Sequence, residues 1–190
     1  LLKRLRSASN RMKLLAWNVN GLRACVKNGF VKFLQTQRPD ILALQEIKIS
    51  DEARLKTKFD FQDYLEYWNP AERPGYSGTA VLSKTKPLSV SRGLSLAKFD
   101  QEGRTQTLEF PRFYLINAYF PNAQPELARL AYKQEFNQEL LAYVKKLDKR
   151  KPVIITGDFN VARQEIDLAR PTANAGNPGG SQEARVWADN

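Results

Sequence analysis

Apolar residues in this chain follow two rhythms, and the change from one to the other marks its elements. Residues 13–17 and 41–44 form short apolar runs of strand character, while residues 22–37 carry a three- and four-residue periodicity that predicts a helix ending before Pro39. A polar helical stretch is expected over 51–58. Shorter strands are expected over 64–68, 79–83 and 88–91, with turn signals between them. Residues 105–110 and 113–118 read as a hairpin with Pro111 and Arg112 at its turn. The longest helix is marked by Tyr132, Phe136, Leu140, Tyr143 and Leu147, which form one apolar stripe. It is expected to start after Pro125 with Glu126 in its first turn and to end in a lysine cluster. Aromatic residues at that spacing predict core rather than a base-stacking platform. The run from Pro152 follows directly, and residues 176–181 read as a loop. No internal repeat is present. Strands alternating with helices in this order predict an α/β fold with mixed sheets.

Composition narrows the setting. With 190 residues, 42% of them hydrophobic, the chain can bury the core of one domain. The lone Cys25 excludes an internal disulfide and favours a reducing, cytoplasmic environment. No apolar stretch approaches the roughly 18 residues of a membrane span. One cysteine and no histidine leave oxygen atoms as metal ligands, which suit magnesium, manganese or calcium rather than zinc.

The net charge of +10 is unevenly placed. Residues 1–13 contribute +5, residues 145–151 contribute +4, and everything else sums to +1. A basic protein is often a polyanion binder, but lysines at a helix carboxyl end also complement its dipole. Residues 1–12 form a basic leader, expected to be disordered, ahead of a domain over 13–190.

Four strand ends carry candidate chemistry. Leu14-Leu-Ala-Trp-Asn-Val-Asn-Gly21 places Asn18 and Asn20 beside a glycine, which is also ordinary turn chemistry. Ile41-Leu-Ala-Leu-Gln-Glu46 ends a buried run in a carboxylate, which alone marks only where solvent begins. Phe113-Tyr-Leu-Ile-Asn-Ala-Tyr-Phe-Pro-Asn122 offers Asn117, Tyr119 and Asn122, any of which can serve a structural hydrogen bond. Pro152-Val-Ile-Ile-Thr-Gly-Asp-Phe-Asn160 delivers Asp158 and Asn160. Jointly, carboxylates, amides and a tyrosine suit a hard divalent cation with an anionic, oxygen-rich substrate. One carboxylate can hold the cation, a second can position or deprotonate water, and the amide and hydroxyl donors can stabilise a pentacovalent transition state. The residues therefore predict metal-assisted phosphoester hydrolysis.

The motifs and their order resemble a known family. Asn18-Val-Asn-Gly-Leu-Arg-Ala24, Leu44-Gln-Glu-Ile-Lys48, Gly75-Tyr-Ser-Gly-Thr-Ala80, Glu102-Gly-Arg104, Tyr119-Phe-Pro-Asn122 and Gly157-Asp-Phe-Asn-Val161 follow one another as they do in exodeoxyribonuclease III and the related apurinic/apyrimidinic endonucleases, within the endonuclease/exonuclease/phosphatase superfamily. Glu165-Ile-Asp-Leu168 and Glu183-Ala-Arg185 extend the match. The resemblance implies a four-layer, DNase I-like sandwich of two mixed sheets. It also implies a magnesium-dependent nuclease, with manganese as an alternative, acting on duplex DNA at abasic or 3′-damaged sites. By motif matching, Glu46 would bind the metal and Asn18 would organise its surroundings. Asp158 would align or activate water, while Asn160 and Tyr119 would contact the scissile phosphate. Asn122, Lys48, Arg23 and Arg104 would be phosphate contacts. The superfamily also includes lipid phosphatases and RNA deadenylases, but the Asn-Gly-Leu-Arg-Ala and Gln-Glu-Ile-Lys wording resembles the DNA-repair branch.

The family also carries a Ser-Asp-His motif near its carboxyl end, which these 190 residues lack. The resemblance thus implies the amino-terminal majority of a family domain, with closing strands absent and an amphipathic helix beginning near Glu183. A complete enzyme of this kind would be a monomer that associates with the nucleoid when acting. The competing expectation is an inactive DNA-binding remnant, and a phosphatase for small phosphoesters is a third reading.

Overall fold

The apolar runs that stop at polar residues are strands, and they pair into two mixed sheets. The computed structural model describes residues 11–123 and 128–162. One sheet has the order β1 (Leu14–Asn18), β2 (Ile41–Gln45), β4 (Thr79–Ser83), β3 (Leu65–Asn69). β1 is parallel to β2, and β4 is antiparallel to both its neighbours. The other has the order β5 (Ser89–Arg92), β6 (Thr105–Glu109), β7 (Tyr114–Tyr119), β8 (Val153–Asp158). Its first three strands are antiparallel, and β8 is parallel to β7. The expected hairpin is β6–β7, closed by Phe110 N–H donating to the Phe113 carbonyl at 2.8 Å.

The helices depart from expectation in three places. Residues 22–37 form two helices, α1 (Leu22–Lys27) and α2 (Phe30–Gln37), rather than one. Asn28 closes α1 by donating to the carbonyls of Ala24 and Cys25, and Gly29, at φ +101°, turns the chain before α2 starts. α3 (Asp51–Thr57) is capped as its sequence suggests, with Ser50 Oγ accepting from Ala53 N–H at 3.2 Å. A single helical turn, α4 (Ala97–Asp100), has no periodic signature because it is shorter than two turns. α5 (Leu130–Asp148) begins at Leu130 with no acid in its first turn, so its start is later than Pro125 implies. Glu126, residues 1–10, the Glu165-Ile-Asp-Leu168 and Glu183-Ala-Arg185 motifs, the loop over 176–181 and the helix near Glu183 lie outside the described residues.

Strand alternation sorts the apolar residues into three layers. Leu42, Leu44, Ala80 and Leu82 face outward from the first sheet and pack with Leu22, Phe30 and Leu34 of α1 and α2. Ile41 and Val81 face inward and meet Leu108, Phe110 and Leu115 of the second sheet. Ile116 and Ala118 face outward from β7 against Phe99 of α4 and Phe136 and Leu140 of α5. Tyr132, Tyr143 and Leu147 pack around that last cluster, so the stripe on α5 is core. The layers run helix, sheet, sheet, helix, as expected. Strands covered on both faces explain why β2 and β4 are buried along their whole length and read as unbroken apolar runs.

A buried polar link between Gln45 and Asn117 crosses the inner layer. Gln45 Nε2 donates to Asn117 Oδ1 at 2.7 Å, and Asn117 Nδ2 donates to the carbonyls of Leu44 and Ala80 at 3.0 Å each. Both residues are buried, and the link ties β7 to β2 and β4 just below the strand ends. Among the described residues β8 lies at the sheet edge, with Ile154 and Ile155 exposed. No described helix is long and apolar enough to cross a membrane.

Candidate active site

Each sheet contributes one parallel pair, and these two pairs bring four strand ends together. In the first sheet Asn18 lies opposite Gln45, which places Glu46 immediately beyond. In the second, Tyr119 lies opposite Asp158. The ends then meet across the sandwich. Asn18 Nδ2 donates to Glu46 Oε1 and to Asp158 Oδ2, both at 2.7 Å, so one amide bridges carboxylates from the two sheets. Its own oxygen accepts from Asn20 N–H at 3.0 Å, which fixes the amide's orientation. Asp158 Oδ1 accepts from Asn160 N–H at 2.9 Å.

The turns that present these groups are strained. Asn20, Glu46, Lys48, Ser77 and Asn160 all have φ between +43° and +53°, a region that residues with a side chain rarely adopt. Hydrogen bonds from the neighbouring strand end hold Glu46 and its surroundings there: Val19 N–H donates to the Gln45 carbonyl, Gly21 N–H to Glu46 and Leu22 N–H to Ile47. Gly157 has φ +143°, and a Cβ on it would lie 1.8 Å from the Ala118 carbonyl oxygen. Only glycine allows β8 to approach β7 this closely just before Asp158.

Electrostatics separates the groups. Burial alone would raise the Glu46 carboxyl, but hydrogen bonds from Asn18, Lys48 and Tyr119, with the Lys48 charge, hold it below its ordinary value. Lys48 Nζ lies 2.8 Å from Glu46 Oε2 and also donates to Asn20 Oδ1. The Tyr119 hydroxyl is pushed far up by burial and by the adjacent Glu46 charge, so it remains a protonated donor at any working pH. Glu46 and Asp158 present oxygen donors only, and among the described residues no group of three or more His, Cys, Asp or Glu side chains is placed to hold a metal ion. That donor set would suit a hard cation that keeps water or phosphate oxygens for its remaining positions, and Glu46 is the carboxylate that could hold one.

Most of the expected site residues converge here. Asn18, Glu46, Tyr119 and Asp158 form the centre, and Lys48 pairs with Glu46. Asn160 sits beside them, its Nδ2 donating to the Phe120 carbonyl at 2.8 Å. Asn122 is exposed in the segment after β7, and Arg23 is exposed on α1. Arg104 requires a correction. It is 2% exposed, donates to Glu102, to the Tyr119 carbonyl and to the Tyr76 hydroxyl, and stacks over the Tyr119 ring at 4.6 Å. A guanidinium so enclosed supports Tyr119 from behind and is not a phosphate contact. Arg129 completes this support, donating to Glu102 Oε1 at 2.9 Å and to Tyr76 at 3.2 Å.

Tyr76, Glu102, Arg129 and Lys133 were given no role by the sequence. Lys133 had a readable signal: it lies three residues before Phe136 and seven before Leu140, which places it on the buried side of α5. Tyr76 and Glu102 lie in the quoted Gly75–Ala80 and Glu102–Arg104 motifs, but their joint task with Arg129 depends on contacts between distant segments that no local pattern shows.

A helix–sheet–sheet–helix sandwich with carboxylates, amides and a tyrosine at the joined strand ends defines a DNase I-like α/β phosphoesterase architecture. The chain belongs to the Endonuclease/Exonuclease/phosphatase family, whose model matches residues 15–189. An exodeoxyribonuclease of Bacillus subtilis is 47% identical over 175 residues, covering 92% of this chain and 68% of that protein. DNA repair nuclease APEX1 of Danio rerio is 44% identical over 176 residues, covering 92% of this chain and 57% of that protein. The crystal structure of the AP endonuclease LMAP from Leishmania major superposes with a TM-score of 0.80 at 27% identity, covering 94% of this chain and 65% of that one. The chain thus spans between about half and two thirds of the length of these relatives.

Proposed function

We propose that this protein is a magnesium-dependent DNA-repair nuclease that hydrolyses phosphodiesters at abasic sites, from the 3′ ends of duplex DNA, or both. The observation that carries the reading is the Asn18 amide, which joins Glu46 of one sheet to Asp158 of the other at 2.7 Å each. Two carboxylates held by one neutral donor can divide the work of hydrolysis. Glu46, kept ionised by its three donors, would be the residue to hold Mg²⁺, with Mn²⁺ as an alternative. The bound ion would neutralise charge on the phosphoryl oxygens. Asp158 takes a proton from water as the water oxygen bonds to phosphorus and the ester P–O bond breaks, the departing alkoxide leaving with the bonding electrons and taking its proton from solvent. Tyr119 stays protonated and donates to Glu46 in the free protein; with a cation on Glu46 that single proton would turn to a non-bridging phosphate oxygen, and Lys48 and Asn122 would hold neighbouring phosphates. Names of the relatives, an exodeoxyribonuclease and a DNA repair nuclease, support DNA as the substrate.

The test is cleavage of an abasic-site duplex in Mg²⁺ by wild type, Asp158→Asn and Glu46→Ala. Asp158→Asn is expected to lower kcat by about 10²- to 10⁴-fold, the usual worth of a positioned acid–base group, and Glu46→Ala to lower activity and raise the Mg²⁺ concentration needed for it. Equal activity in all three would sink the proposal. Salt-sensitive duplex binding without turnover would instead support a DNA-binding protein.

A further inference from the structure

Lys133 lies outside the set of polar side chains at the strand ends, yet it touches the backbone on which several of them are mounted. It projects from the buried side of α5, is 2% exposed, and donates to three main-chain carbonyls. These are Pro121 at 2.9 Å, Phe159 at 3.0 Å and Asn160 at 3.3 Å. An ammonium has three protons, and each has an acceptor. The Pro121 carbonyl belongs to the segment after β7 that carries Asn122. The other two belong to the segment after β8 that follows Asp158.

Enclosing an ammonium in a helix–sheet interface is costly, and leucine or methionine would fill the same space more favourably. Burial pulls its pKa down to about 8, opposed by the nearby Asp158 charge and assisted by that of Arg104. The cost is concentrated at a specific place. Asn160 has φ +49°, and its N–H orients Asp158. A strained turn persists only when its surroundings hold it. Phe120 and Phe159 stack at 4.7 Å beneath the ammonium, so the two segments are already in contact and Lys133 sets their relative position.

We propose that Lys133 is a positioning residue for the phosphodiester-cleaving site, clamping the Pro121 and Phe159–Asn160 segments so that Asp158 is held in register with Asn18. The inference rests on the reading of Asp158 as the water-positioning carboxylate, but its structural half stands without that reading.

Two measurements on the full chain separate the two. The first is steady-state cleavage of an abasic-site duplex in Mg²⁺ by wild type, Lys133→Met, Lys133→Arg, Asp158→Asn and the double variant Asp158→Asn/Lys133→Met. Lys133→Met is expected to lower kcat by about 100-fold with KM little changed, the effect of a misplaced reacting group. Lys133→Arg, which retains donors for the carbonyls, should recover most of the loss. The double variant should be no slower than Asp158→Asn alone. The second is amide hydrogen exchange. Protection of Asn160 N–H should fall at least about tenfold in Lys133→Met while α5 amides keep theirs, since only the turn is released. Unchanged kcat, an additive double variant, or loss of protection throughout α5 would overturn the proposal. If wild type does not cleave but the Asn160 amide still depends on Lys133, the clamp stands and the nuclease reading fails. If that amide does not depend on Lys133, the clamp fails whatever the turnover.

Discussion

Glu102 shows how one residue can matter to a site it does not enter. Its carboxylate accepts from Arg104 and Arg129, and through them it holds Tyr76 and the ring of Tyr119. Burial would raise its pKa, but the two guanidinium groups hold it below its ordinary value of 4.5. A carboxyl depressed in the folded state contributes stability that is present above the ordinary value and is lost as pH falls through the folded one. Urea unfolding of wild type should therefore weaken from pH 5 downward, and Glu102→Gln should flatten that part of the curve. At pH 7 the variant should be about 1–3 kcal/mol less stable, the range for losing a charged hydrogen-bonding partner that is largely enclosed. A variant as stable as wild type at pH 7, with an unaltered acid limb, would contradict this account. The motif Glu102-Gly-Arg104 was visible in the sequence. Its task was not, because a buried arginine and an exposed phosphate-binding arginine are spelled alike.

At the scale of elements, strands were easier to place than helix ends. All eight expected strand segments are strands to within a residue or two, most of them because burial on one or both faces imposes a period that local sequence reports. The helix over 22–37 breaks because Asn28-Gly29 can close one helix and open another, and periodicity does not register a break that preserves the phase of the apolar face. β8 has its own requirement at Gly157. Substituting alanine would drive a Cβ into the Ala118 carbonyl oxygen, at a φ of +143° that alanine resists. Gly157→Ala is expected to cost more than about 2 kcal/mol, as close backbone clashes and strained φ do. It should also impair cleavage beyond the loss of folded protein, because Asp158 is the next residue. Thermal melting and specific activity together check this; wild-type values in both would refute it. The Gln45–Asn117 link is a second device between elements. Asn117→Ala would leave the Leu44 and Ala80 carbonyls and the Gln45 amide without their partner in a buried layer. Denaturant titration should show a loss of about 1–3 kcal/mol.

At the scale of the whole molecule, the charge excess and the site residues fall on different segments of the sequence. The excess of +10 resides largely in residues 1–13 and 145–151, whereas Glu46 and Asp158 are acidic. Within the second group, Lys151 pairs with Glu109 and donates to the Phe110 carbonyl, and Lys145 and Lys146 occupy the last turn of α5, which their interaction with the helix dipole explains. If duplex DNA is the partner, each phosphate neutralised contributes about −0.9 to the slope of log affinity against log salt. Binding of an uncleaved duplex, measured by anisotropy without divalent cation, should weaken at least about tenfold between 50 and 200 mM salt. A salt-independent affinity would argue against phosphate recognition.

By itself the sequence determined the alternation of strands and helices, the apolar stripe of the longest helix, and the oxygen-only chemistry at four strand ends. These follow from side-chain period and residue type, which are local. The tertiary structure alone decided that Asn18 meets an acid 28 residues away and another 140 residues away through the same amide. It likewise enclosed Arg104 behind Tyr119 and seated Lys133 under the turn that carries Asn160. Such contacts depend on how two sheets stack and on which strand pairs run parallel. No periodicity encodes that stacking, because many arrangements bury the same apolar faces and only one of them joins these polar ends.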